Sequence, residues 1–203
     1  DTMRTYIMFI GDFEKAAAWS DNGVKGCKRF LDRVWNLATD KEHTGDEYSK
    51  ANEAAVHKAI KKVGEDIERM KFNTAIATLM SLVNDFTKKA SVTRGELKTF
   101  LLLLNPTAPH ITEEMWQKCG FGEEIAKQSW PTYDEAKTVD DEVEIVLQIN
   151  GKIRDKLVIP AGLDKDATQE AAMQSDKVAA AVEGKQIVKI IVVPGKLVNI
   201  VVR

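Results

Sequence analysis

This sequence is short of the residues that build reactive centres. Two cysteines, Cys27 and Cys119, and three histidines, His43, His57 and His110, are spread through 203 residues. The cysteines are far apart and neither belongs to a Cys-x-x-Cys pair, so neither a disulfide framework nor a zinc ribbon is expected, and two buried reduced thiols are. No histidine pairs with a second histidine or a carboxylate at a metal-like spacing. No glycine-rich loop ending in Gly-Lys-Ser or Gly-Lys-Thr is present to cradle a phosphate, and no serine sits in a Gly-x-Ser-x-Gly elbow. Catalysis is therefore not expected within these residues. No apolar run approaches the ~18 residues of a membrane span, and no basic stretch with an apolar core opens the chain. The expectation is a cytoplasmic protein without a membrane partner.

Charge of one sign is scarce too. The formal net charge is −2, which argues against a surface coated with cations for indiscriminate nucleic-acid binding. Its distribution is uneven, since Val143 to Arg203 carries nine lysines and arginines against seven acids, a formal +2, leaving −4 for the rest. Hydrophobic residues at 44% and charged residues at 30% describe an ordinary globular chain, and its length suits two unequal domains.

What is present is helical spacing over the first two thirds. Residues Asp1 to Gly11 lack a cap signal and read as the end of an element already under way. From Val24, the positions Phe30, Leu31, Val34, Trp35 and Leu37 share one helix face, started by Ser20, Asp21 or Asn22. A polar stretch from Thr39 to Asp46 follows. Val56, Ala59, Ile60, Val63, Ile67 and Met70 then form a second stripe, and Ala75, Ile76, Leu79, Leu82, Val83 and Phe86 a third, capped by Asn73. Thr93-x-x-Glu96 is a capping box opening a fourth helix, and Pro109 suits the first turn of a fifth that Gly120 and Gly122 end. One-sided helices with short connections predict an antiparallel bundle over residues 1–130. Trp35, Trp116, Met70, Met80 and Met115 are expected in its core.

After a polar linker at 131–142 the period changes to two. Val143, Ile145, Leu147 and Ile149 alternate with polar residues, Asn150-Gly151 signals a tight hairpin, and Ile153 to Ile159 resumes the alternation. Asp166 and Ser175 are candidate caps for two short helices, and Ile187–Val193 with Leu197–Val202 make a second hairpin about Pro194-Gly195. The small domain at 143–203 is thus expected to be β-β-α-α-β-β, a small antiparallel sheet with helices on one face. The fold class is mainly α with a small α+β domain.

The informative constellation lies on that small domain. Lys152, Arg154 and Lys156 are spaced two apart, so an unbroken strand points all three from one face, opposite Ile153, Leu157 and Ile159. Cations at ~6–7 Å intervals match the scale of a nucleic-acid backbone, although solubilising charges on an open face look the same. Lys196 projects from the second hairpin turn, and both turns are expected toward one end of the sheet. On the bundle, Lys25, Lys28, Arg29 and Arg33 share a helical surface.

Two segments resemble a known family. Trp19-Ser20-Asp21, Gly23-Val24 and Arg29-Phe30-Leu31-x-Arg33-Val34-Trp35-Asn36 are similar to the start of the anticodon-binding bundle of class I aminoacyl-tRNA synthetases with large aliphatic substrates. Leu104-Asn105-Pro106-x-Ala108-Pro109-His110-Ile111-Thr112-Glu113-Glu114-Met115-Trp116 resembles the same bundle's most recognisable segment. The ending, Gln148-Ile149-Asn150-Gly151-Lys152-x-Arg154 with Val193-Pro194-Gly195-Lys196-Leu197-Val198-Asn199-Ile200-Val201, looks like the C-terminal domain of bacterial-type leucyl-tRNA synthetases. The resemblance implies an ATP-dependent enzyme joining leucine to its tRNA, with ATP and magnesium in a catalytic part whose His-Ile-Gly-His and Lys-Met-Ser-Lys-Ser motifs are not in this sequence. It implies a monomer whose bundle packs on the tRNA core and whose terminal domain reaches the elbow, with Asn150, Lys152, Arg154, Lys196, Arg29 and Arg33 as tRNA-binding residues. The alternatives are the same region of an isoleucyl or valyl enzyme, or a helical protein-interaction module, which an exposed apolar patch on the bundle would favour.

Overall fold

The computed structural model describes residues 1–12, 14–40, 42–88, 92–138 and 142–203. The chain divides into two compact units, Asp1–Thr138 and Val139–Arg203. Among the described residues, the first unit is built from six α-helices: α1 (Thr2–Phe9), α2 (Asp21–Thr39), α3 (Glu53–Glu68), α4 (Phe72–Lys88), α5 (Arg94–Leu104) and α6 (Pro109–Lys118).

The predicted apolar stripes are the buried ones. α2 turns in Phe30, Leu31 and Val34, α3 Val56, Ile60 and Val63, α4 Leu79, Val83 and Phe86, and α5 Leu97, Phe100, Leu101 and Leu104. Met115 and Trp116 of α6 close the same core. The Ser20 hydroxyl caps α2 by accepting from Gly23 N, and Pro109 occupies the first turn of α6. α1 is an additional helix where no helix start was legible. Its N-cap carboxylate, Asp1, makes no cap within its own helix and instead accepts from Ile111 N at 2.6 Å and lies 2.8 Å from His110 Nδ1.

Met70 departs from expectation. It is 61% exposed, whereas Met115 is buried and Met80 packs against the core. The reversal from α3 to α4 places Met70 at φ 58°, with Met70 N donating to Ile67 O and Lys71 N to Asp66 O, and this left-handed position turns the side chain outward.

The predicted capping box holds more than a helix end. Glu96 is 0% exposed, and its carboxylate accepts from Thr93 N at 2.9 Å, Asn52 Nδ2 at 2.9 Å, Ser49 N at 2.7 Å and Ser49 Oγ at 2.6 Å. The polar stretch before α3 is thereby stitched to α5. The same stretch crosses the start of α5 backbone to backbone, with Arg94 N donating to Thr44 O and Gly95 N to Gly45 O. A Cβ on Gly95 would sit 2.0 Å from Asp46 O, so only glycine allows the crossing.

The stretch expected as a linker from Pro131 is engaged up to Thr138. It forms a 3-10 turn at Glu135–Thr138 that packs on α3, where Lys61 reaches Glu135 and Lys137 reaches Glu53. Residues 139–141 of that stretch lie outside the described residues.

The second unit runs β1 (Glu142–Ile149), β2 (Lys152–Pro160), α7 (Lys165–Met173), α8 (Asp176–Val182), β3 (Ile187–Val193) and β4 (Leu197–Val202). Its sheet order is β2-β1-β4-β3, and the central pair β1–β4 is parallel, so the sheet is mixed where all-antiparallel pairing was expected. The crossover through α7 and α8 carries the chain back and leaves β4, not β3, beside β1. Ile145, Leu147, Ile149, Ile159, Val198 and Ile200 meet Ala172 and Val178 of the helices in one core. α7 is capped by Asp164, whose carboxylate accepts from Ala167 N at 2.8 Å, rather than by Asp166.

Replacing Gly95 with alanine forces backbone apart from backbone, and Glu96→Ala leaves four donors without their acceptor. Each is expected to lower unfolding free energy by at least about 3 kcal/mol, read as a fall in the urea midpoint.

Candidate nucleic-acid interface

The β1–β2 hairpin positions the candidate cations, and a bulge decides where they point. Register runs Ile145↔Leu157, Val146↔Lys156 and Leu147↔Asp155, then jumps to Gln148↔Ile153 and Ile149↔Lys152, leaving Arg154 as the surplus residue. The two-residue alternation is broken there. Lys156 pairs with Val146 of the open face, while Lys152 pairs with Ile149 of the core side at the very end of the strand. The three cations therefore do not form one row on one face. Ile153, expected inward, pairs with Gln148 on the open face and is 64% exposed.

Neutralisation separates the cations further. Lys156 Nζ sits 2.7 Å from Glu144 Oε1, and Lys177 Nζ 2.7 Å from Asp155 Oδ1. The Lys177 hydrogen bond, followed by those from Lys156 N and the Ser175 hydroxyl, holds the Asp155 carboxyl below the usual range. Among the described residues, Lys152, Arg154 and Lys196 have no carboxylate within 4.0 Å.

The tips of the two hairpins lie toward opposite ends of the sheet, contrary to expectation. Because β1 and β4 run parallel, the turn after Ile149 is level with the end of β4 at Ile200, whereas Lys196 precedes Leu197, which is level with Val146. Five strand positions at ~3.3 Å each separate Lys196 from Asn150, about 16 Å along the strand axis. The two tips therefore do not form one contiguous cation cluster.

Asn150 serves the sheet itself. It holds φ 48° in the turn, its Oδ1 accepts from Val202 N at 2.9 Å, and its Nδ2 donates to Val202 O at 3.1 Å. Asn199 Oδ1 reciprocates by accepting from Gly151 N at 3.0 Å. This exchange welds the turn to β4 and holds Lys152 and Arg154 on a rigid base.

The open face is more apolar than the sequence suggested. Ile191 and Val193 of β3 pair with Asn199 and Leu197 of β4, which share the face, and Ile191, Val193, Ile153 and Val158 are all exposed. The bulges at Leu147/Gln148 and Ile187/Lys189 that place these side chains leave no signal in a binary pattern. The open face presents these aliphatic groups, with Lys152 and Arg154 at the hairpin end of β1–β2 and Lys196 toward the other end of the sheet. Such a surface suits phosphates together with the flat faces of unpaired or terminal bases.

On the bundle, Arg33 is pinned to α4, its Nη2 donating to Asn84 Oδ1 at 2.8 Å and to Thr87 Oγ1 at 3.5 Å. Arg29 stays exposed, with Lys25 and Lys28 beside it around a shallow groove. Trp19 is exposed, its ring edge-on to Tyr6 and its Nε1 donating to Asp21 Oδ1 at 2.8 Å. Met3 and Ile7 are also exposed on this unit.

The family described as the anticodon-binding domain of tRNA ligase matches residues 50–169. Over all 203 residues the chain is 53% identical to the leucine–tRNA ligase of Alkaliphilus oremlandii (strain OhILAs), of which it covers 25%. The chain thus spans about a quarter of the length of that relative. Among solved structures it resembles the Agrobacterium radiobacter K84 agnB2 LeuRS, crystallised as a ternary complex with tRNA and LeuAMS, with a TM-score of 0.73, 28% identity and coverage of 100% of this chain and 29% of that one.

The Asn150 amide and the Arg154 guanidinium are expected to behave oppositely. Asn150→Ala should destabilise the second unit by about 1–3 kcal/mol in thermal unfolding, whereas Arg154→Ala should stay within about 0.5 kcal/mol. Equal losses would assign Arg154 a structural role.

Proposed function

The chain belongs to the tRNA ligases that carry an anticodon-binding domain, and from that premise we propose that it is the tRNA-holding C-terminal region of a cytoplasmic leucine–tRNA ligase. The observation that carries the reading is the 53% identity along the full chain to one quarter of a leucine–tRNA ligase. The region holds the tRNA while ATP and magnesium act in a catalytic part supplied by the rest of the enzyme. The monomer is its working form.

Within this reading Lys152 and Arg154 contact the phosphate backbone from the rigid β1–β2 end, and the neighbouring aliphatic face receives unstacked or terminal bases. Lys196 forms a separate contact at the far end of the sheet. On the bundle, Arg29 with Lys25 offers a second cationic surface, Lys28 being paired with Asp32 at 2.6 Å, while Arg33 positions α2 against α4. The low net charge limits each contact set to a few phosphates, which makes the region a weak binder by itself and leaves discrimination to shape. Exposed Met3, Ile7 and Trp19 on the bundle are the feature that favours a second reading, docking to another protein surface, and in a longer ligase that surface is supplied in the same chain.

In filter binding at low salt, leucine tRNA is expected to bind weakly, with affinity falling steeply as salt rises. The Lys152→Ala, Arg154→Ala double variant should lower affinity about tenfold and reduce the salt slope by about 2. In the complete ligase the same double variant should slow charging while leaving adenylate formation unchanged. No preference for leucine tRNA over unstructured RNA would sink the proposal.

A further inference from the structure

His57 of α3 is buried, 8% exposed, and belongs to no catalytic or metal-binding arrangement among the described residues. Its ring stands edge-on to Tyr48 at 5.3 Å, and the Tyr48 hydroxyl lies 2.7 Å from Thr99 Oγ1 of α5. Its Nδ1 accepts a hydrogen bond from the backbone N–H of Asp134 at 3.1 Å. That bond requires a neutral ring with its proton on Nε2, because a protonated Nδ1 has no lone pair to offer.

The rest of the segment around Asp134 is held by side-chain contacts at its edges. Lys61 Nζ meets Glu135 Oε1 at 2.6 Å and lies 5.8 Å from the centre of the Tyr133 ring, and Lys137 Nζ meets Glu53 Oε1 at 2.6 Å. Asp134 Oδ1 accepts from Ala136 N, closing the 3-10 turn. Both ion pairs are partly exposed, so each is weak and screened by salt. The His57 bond is the one of these contacts made to a buried side chain. Residues 131–138 end the first unit and directly precede the second in sequence.

We infer that residues 131–138 form a proton-sensitive latch: neutral His57 holds Asp134 on α3, and protonation of His57 releases the eight-residue segment from α3. Eight extended residues add up to roughly 26 Å of reach.

The surroundings set the sign. Burial is the largest influence on His57 and lowers its affinity for a proton, the Lys137 ammonium lowers it further, and Glu53 on its own helix and Asp134 on the segment oppose them. From α5, Glu96 faces this region with its carboxylate bound to Ser49 and Asn52, and Lys61 faces it paired with Glu135. A histidine kept neutral by folding contributes stability that is fully present above its ordinary value of about 6.5 and is lost as pH falls through its lowered folded value. The latch is therefore closed at neutral pH and opens in acid. It is independent of RNA binding.

Amide hydrogen exchange followed by NMR from pH 7.5 to 5 tests this. Corrected for intrinsic rates, protection of the Asp134 amide is expected to fall at least about tenfold toward the acid end, while the Leu101 and Leu104 amides of α5 keep theirs. His57→Asn places a non-titrating oxygen near the position of Nδ1 and should make Asp134 protection independent of pH. Asp134 protection that does not change with pH, or that disappears only together with the α5 amides, would overturn the latch. Should His57→Asn fail to fold, the wild-type exchange profile decides alone.

Discussion

A single buried carboxylate organises the first unit. Glu96 lies fully buried inside a helical bundle, and its polar oxygens are accommodated there because four donors surround them. One of those donors, Thr93 N, is the expected partner in the capping box, but the other three come from Ser49 and Asn52 in the chain before α3. The carboxylate therefore does two jobs with one set of oxygens, starting α5 and fixing the entry into α3. The close crossing at Gly95 follows from the same attachment, since the strap bound by Glu96 must pass directly over the start of α5.

What depends on that entry extends along α3 to the end of the first unit. With α3 held against α5, Tyr48 packs on His57 and hydrogen-bonds Thr99, and His57 presents its Nδ1 outward to the segment at 131–138. A polar, proline-led stretch that reads as a free linker becomes an attached one through contacts 70 to 85 residues away in sequence. Charge alone would not hold it, because partly exposed ion pairs are worth little in water.

In the second unit the corresponding constraint is the parallel pairing of β1 with β4. It separates the two hairpin tips, aligns Asn150 with Val202 and Asn199 with Gly151, and divides the candidate cations into a pair at one end and Lys196 at the other. A basic surface on a protein of net charge −2 is consequently local. Lys156 shows the point, since it shares the strand with Lys152 and Arg154 yet is paired with Glu144.

Much of the fold was legible because it rests on periodicity and local chemistry. The stripes of α2 to α5, the capping box at Thr93, the proline opening α6, the Asn150-Gly151 turn and the bounds of β3 and β4 follow from neighbours within four residues, and the resemblance in the segment ending at Trp116 pointed to the family. What the amino-acid order could not decide were features made by residues distant in sequence. α1 forms against α2 and α4 without a cap of its own, Met70 is turned out by a left-handed residue at a helix reversal, and Ile153 is exposed by a bulge whose partner strand chooses its place. The sequence by itself determined which residues are apolar at helical or strand spacing, and so the two units and their elements. Only the tertiary structure decided which cations remain unpaired and which ends of the sheet they occupy, because strand order and register are set by the packing of the whole unit and not by any local pattern.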